Sequence, residues 1–138
     1  MNYHCQEGAV TLPVSDYLDS SVHILKFPSL DATLTLTRDR LAQGQTATEY
    51  LTAQITMLQQ NMTLHGLTAF TPFHTVEQIA GIEFYCEPEQ QGMHLYQYVA
   101  AYDLTSSLLV MTYCQIRPFT EADLQHWQTL KLNFARRP

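Results

Sequence analysis

The stretch Ser21-Val22-His23-Ile24-Leu25-Lys26-Phe27-Pro28 constrains this chain most. It has the pattern of a strand with two apolar faces. Side chains alternate along a strand, so Val22 and Ile24 share one side while His23, Leu25 and Phe27 share the other. A half-solvated sheet needs only one apolar face. The second face therefore requires a cover: the protein's own helices, a second subunit or an apolar ligand.

The rest of the chain supplies a frame for that strand. Tyr3–Gln6 and Ala9–Leu12 suggest two short strands about a turn at Gly8. Asp16–Ser20 reads as a polar connection. Ala32-Thr33-Leu34-Thr35-Leu36-Thr37-Arg38 alternates Leu with Thr, the signature of an amphipathic strand. From Thr46 to about His65 the period changes. Thr46 and Glu49 have the spacing of a capping box, and Leu51, Ile55, Leu58 and Met62 form one helical stripe. Gly66 is the expected helix stop.

Four strand candidates follow: Leu67–Val76, Ile79–Cys86, Met93–Asp103 and Ser106–Ile116, with hairpin connections at Glu87–Gly92 and Leu104-Thr105. A last helix opens at Thr120 and carries Leu124, Trp127, Leu130 and Phe134 on one side, with Lys131 near its negative end. The expected fold class is α+β: a single antiparallel sheet of about six strands, a long central helix and a C-terminal helix. At 138 residues, with no repeat or linker, one domain over 1–138 is expected.

Charge and motif content narrow the function classes. The net charge of −6 disfavours binding to a phosphate backbone, so no nucleic-acid partner is expected. No apolar run reaches the roughly 18 residues of a membrane span, and the first residues have no signal-peptide pattern. The three cysteines are far apart and read as free thiols, each a small buried apolar residue in a reducing compartment. The six histidines show no metal-enzyme spacing and read as structural or surface residues. There is no phosphate loop and no nucleophile elbow. Glu87 and Glu89 read as solvated turn residues. Neither metal nor other cofactor is expected, and the case for an enzyme is weak.

Two polar residues break apolar stripes. Gln97 interrupts Met93, Leu95, Val99 and Ala101, and Gln54 sits one turn before Leu58. A buried amide needs partners or costs a few kcal/mol. Either these residues bond local backbone or face water at an edge, or they mark an apolar groove with a few orienting amides.

Taken in order, Ser21–Pro28 after a short hairpin, Leu-Thr-Leu-Thr-Arg-Asp at 34–39, and the helix Tyr50-Leu51-Thr52-Ala53-Gln54-Ile55 resemble the Eag chaperones of type VI secretion systems, above all the SciW-like branch serving Rhs effectors. These belong to a DcrB/Mog1/PsbP-like group of small α+β domains. The resemblance implies a cytoplasmic homodimer that is not an enzyme. It implies binding and shielding of the hydrophobic N-terminal transmembrane helices of a PAAR/Rhs effector, and help in loading that effector onto the VgrG spike. The client-helix groove it implies comprises Val22, Ile24, Gln54, Leu58, Met62 and Gln97. Leu58 stands where the family often has a small residue. Two rival expectations are an interaction or regulatory module that binds a folded partner surface, and a small-molecule binder or hydrolase using His94, Glu83 or Tyr96.

Overall fold

A computed structural model describes residues 1–16, 20–105 and 107–137. The connection expected over 16–20 therefore lies mostly outside the described residues, as does Ser106, the expected start of the last strand. Strands β1 (Asn2–Cys5) and β2 (Gly8–Thr11) pair as a separate hairpin, as the Gly8 turn suggests. The main sheet contains β3 (His23–Phe27), β4 (Ala32–Asp39), β5 (Thr63–His65), β6 (Thr71–His74), β7 (Ala80–Gln90), β8 (Met93–His94), β9 (Tyr96–Asp103) and β10 (Leu108–Gln115). Six strands run in the order β3-β4-β10-β9-β7-β5, and β6 and β8 are short additions along β7. All pairs are antiparallel. The α+β class and the strand count of about six agree with the sequence reading.

Helix α1 (Ala47–Gln59) covers one sheet face and α2 (Glu121–Leu132) the other. Alternation along the strands feeds both cores. On the α1 side lie Phe84, Cys86, Val99, Ala101 and Leu108, packed against Leu51 and Ile55. On the α2 side lie Leu34, Ala100, Tyr102, Met111 and Tyr113, packed against Trp127. Each fully buried apolar side chain of this size contributes about 1.5–3 kcal/mol. The central strands need apolar residues on both faces because both are covered.

Several boundaries differ from the sequence reading. The central helix stops at Gln59 rather than near His65, and Thr63–His65 is a strand. Met62 is thus in the turn beyond the helix and does not continue the Leu51–Leu58 stripe. Gly66 (φ +59°) serves the turn after β5, not the helix end. Helical spacing persisted by chance in Met62, and pairing of β5 with β7 decided the matter. Strand β7 runs on to Gln90, so Glu87 and Glu89 are strand residues. The hairpin turn shrinks to Gln91-Gly92, both at positive φ (53° and 81°), as a two-residue turn between twisted strands requires. The strand expected over Met93–Asp103 breaks at Leu95, whose N–H donates to the carbonyl of Pro88. The strand expected at Leu67–Val76 contracts to β6. Cys5 is exposed and Cys114 half-buried; only Cys86 is fully buried.

Candidate functional site

Helix α1 is set by its capping box. The Thr46 hydroxyl accepts from the Glu49 N–H at 3.1 Å, and the Glu49 carboxylate accepts from the Thr46 N–H at 3.0 Å. These bonds hold the Glu49 carboxyl below its usual range. Leu51 and Ile55 then point into the sheet, and Tyr50, Gln54 and Leu58 follow one another at four-residue steps along the neighbouring edge. The same N-terminal end of the helix is tied to β4, since the Tyr50 hydroxyl donates to Asp39 Oδ2 at 2.6 Å. Burial first, and the Asp39 carboxylate second, push the Tyr50 hydroxyl up to about 12.

The helix does not cover the whole sheet face beside it. An open groove of about 250 Å³ runs along its edge. Its floor is read from the register. Thr112 on β10 pairs with Val99 on β9, which pairs with Phe84 on β7. Val110 pairs with Thr37, and Gln97 with Cys86. Tyr50, Leu51, Gln54, Ile55, Leu58 and Leu64 complete the walls. None of the 13 lining residues carries a charge, in a chain of net charge −6. The polar groups are hydroxyls, amides and one thiol.

Of the six expected groove residues, Gln54, Leu58 and Gln97 line this cavity. Gln97 is half-buried, and its amide donates to the Cys86 sulfur at 3.5 Å. Burial raises the Cys86 thiol, which keeps it protonated. Gln54 is exposed at the rim. Ile24 shares the groove's face one strand beyond the floor: it pairs with Thr35, and Thr35 pairs with Thr112. Its exposure is 58%, and that of Val22, just before β3, is 52%. Phe27, on the opposite side of β3, packs on the α2 core. Leu25 shares that side but stays 48% exposed at the sheet edge. Met62, in the turn beyond α1, is not among the lining residues. The floor residues Thr37, Val110 and Thr112 had no individual signal in the sequence. Only the alternation of β4 hinted that a row of threonines would share one face.

Two groups of titratable residues lie on the other face. Glu83 accepts from Lys131 Nζ and from Trp127 Nε1, each at 2.9 Å, so it anchors α2 rather than standing open for chemistry. Asp123 takes the bidentate grip of Arg117 and the Thr120 N–H, which hold its carboxyl far below the usual range. At the end of the sheet His65, Glu87, Glu89 and His94 meet, although the sequence suggested solvated glutamates and separate histidines.

The family model for DcrB matches residues 7–132. The chain belongs to the DcrB family. No functionally curated protein matches it. Among solved structures, it is similar over its whole length to PA94 from Pseudomonas aeruginosa, a protein of unknown function described as a candidate regulator. The TM-score is 0.67 at 20% identity, over 97% of that chain. At that identity the likeness shows the shared fold. The DcrB-like expectation from the sequence is therefore met. Among the described residues no helix is long and apolar enough to cross a membrane.

Proposed function

We propose that this DcrB-family protein is a chaperone that holds the N-terminal transmembrane helices of a PAAR/Rhs type VI effector in the cytoplasm and helps deliver it to the VgrG spike. The observation that carries the reading is the uncharged groove beside α1, flanked by the exposed apolar residues Ile24 and Leu58. A charged ligand would find no counter-ion there, whereas an apolar helix gives up no favourable charge hydration and gains by leaving water. The amides of Gln54 and Gln97 and the hydroxyls of Thr37 and Thr112 offer partners for the few polar groups such a helix carries. The Eag-like motifs at 21–28, 34–39 and 50–55 support the same reading.

Magnitudes bear on stoichiometry. A membrane-spanning helix is about 30 Å long and about 10 Å across. A groove of about 250 Å³ accepts a few of its side chains and covers one stripe. A homodimer that presents two grooves would enclose more of it. Burial at about 25 cal/mol per Å² drives association, less the cost of ordering. The reading needs no cofactor and no catalytic step.

The test is co-expression with the N-terminal region of a PAAR/Rhs effector. A soluble, co-purifying complex is expected. Insolubility of that region with and without this protein would overturn the reading. Capture of folded effector domains lacking any transmembrane stretch would favour an interaction module instead.

A further inference from the structure

The end of the sheet brings together four side chains that lie between positions 65 and 94. His65 on β5 pairs opposite Glu87 on β7, and His94 on β8 pairs opposite Glu89. The hydrogen bonds run diagonally: His65 Nε2 to Glu89 Oε1 at 2.7 Å, and His94 Nε2 to Glu87 Oε1 at 2.9 Å. The two imidazoles stack, with centroids 5.2 Å apart and planes 9° from parallel. One ligand atom each from His65, Glu89 and His94 lies within 4.8 Å of the others.

We propose that His65, His94 and Glu89, with Glu87 in reach, form a binding site for a zinc-type divalent cation. Two imidazoles and a carboxylate suit first-row ions such as Zn²⁺ better than Mg²⁺ or Ca²⁺, which prefer all-oxygen shells. Tetrahedral zinc, with bonds of about 2.0–2.2 Å, places its ligand atoms about 3.3 Å apart. The widest separation therefore contracts by about 1.5 Å at most, and the His65–Glu89 pair, now at 2.7 Å, opens by about 0.6 Å. Side-chain exposures of 43% for His65 and Glu89 and 34% for His94 leave room for that movement and for entry from solvent. On binding at each Nε2, the proton now shared with a carboxylate moves to Nδ1 or leaves to water. The Tyr85 hydroxyl donates to Glu87 Oε2 at 2.7 Å and so orients that carboxylate from behind, as outer-shell partners do in metal sites.

The site lies on the sheet face opposite the groove. An ion there ties β5 and β8 to β7. Leu64, next to His65, lines the groove from the same strand. This inference does not depend on the proposed client.

Chelator-treated full-length protein titrated with ZnCl₂ in a calorimeter should show one saturable site per chain and a raised Tm. His65→Ala and His94→Ala should each weaken it at least about tenfold, with His4→Ala as an unaffected control. X-ray absorption on the wild-type zinc complex should show imidazole ligands, a readout that needs no variant to fold. Absence of a saturable site, binding unchanged in both histidine variants, or a zinc shell without imidazole would each overturn the proposal.

Discussion

Ile24 stands opposite Thr35 in the β3–β4 ladder, and that pairing decides which side of the sheet it serves. Thr35 pairs on with Thr112, a residue of the groove floor. Ile24 therefore extends the groove's face to the sheet edge, while Phe27, one side over, closes the α2 core. One five-residue strand serves two environments because its side chains alternate.

The groove reading makes a prediction about Ile24 and Leu58. Both are at least 40% exposed, so Ile24→Asp and Leu58→Asp should lower folding stability by no more than about 1–1.5 kcal/mol. A charge desolvated against an apolar helix should weaken client binding by about 2–3 kcal/mol, roughly 30- to 150-fold. Gln97→Ala should cost less, about 1 kcal/mol. Denaturant melts beside a binding titration check this, and unchanged affinity in both Asp variants would remove these residues from the site.

Glu83 and Lys131 make an ion pair in which the lysine is almost wholly buried. Glu83→Ala would strand that ammonium and the Trp127 N–H, at a cost of about 3–5 kcal/mol. Lys131→Met should cost less, because Glu83 keeps Trp127 as a donor and reaches solvent with 19% of its side chain. Urea midpoints of the two variants give the order directly, and the reverse order would refute the assignment.

Asp123 caps α2 and is gripped by Arg117, so its folded pKa is lowered. A lowered carboxylate contributes stability that is complete above its unfolded value near 3.9 and is lost as pH falls toward its folded value. Asp123→Asn should lower stability at pH 7 by about 2–3 kcal/mol. It should also flatten the decline below about pH 4. Stability measured from pH 7 to pH 2 tests both parts, and parallel curves for the two proteins would contradict the second.

Gly81 lies under the Phe73 ring. A Cβ built there would come within 2.5 Å of Phe73 Cζ. That ring is held edge-on against Tyr102, and Lys131 sits 4.9 Å above it. Gly81→Ala should therefore destabilise the protein by about 1–3 kcal/mol. Adding Phe73→Leu should recover part of the loss in thermal melts. A neutral Gly81→Ala would mean that the ring shifts freely.

Local patterns foretold the elements whose causes are local. The capping boxes at Thr46 and Thr120, the Leu-Thr alternation of β4 and the turn at Gly8 each act within a few residues, so their effects show in the sequence. Long-range pairing governed the misjudged boundaries. Met62 kept the helical spacing, but β5 needs residues 63–65 as a partner for β7. Glu87 and Glu89 resembled turn residues until β7 proved 11 residues long and set them beside His65 and His94.

The sequence by itself determined the α+β class, the two capped helices and a β3 with too many apolar positions for one buried face. It also singled out Gln54 and Gln97, because amides inside apolar stripes stand out in the pattern, and the family resemblance added Leu58. Tertiary structure alone decided that β4 lies beside β10, so that Thr37, Val110 and Thr112 form a floor running out to Ile24. It likewise gathered the His–Glu cluster. The reason is physical: periodicity assigns each side chain to a face of its own element, but strand order and register decide which faces meet.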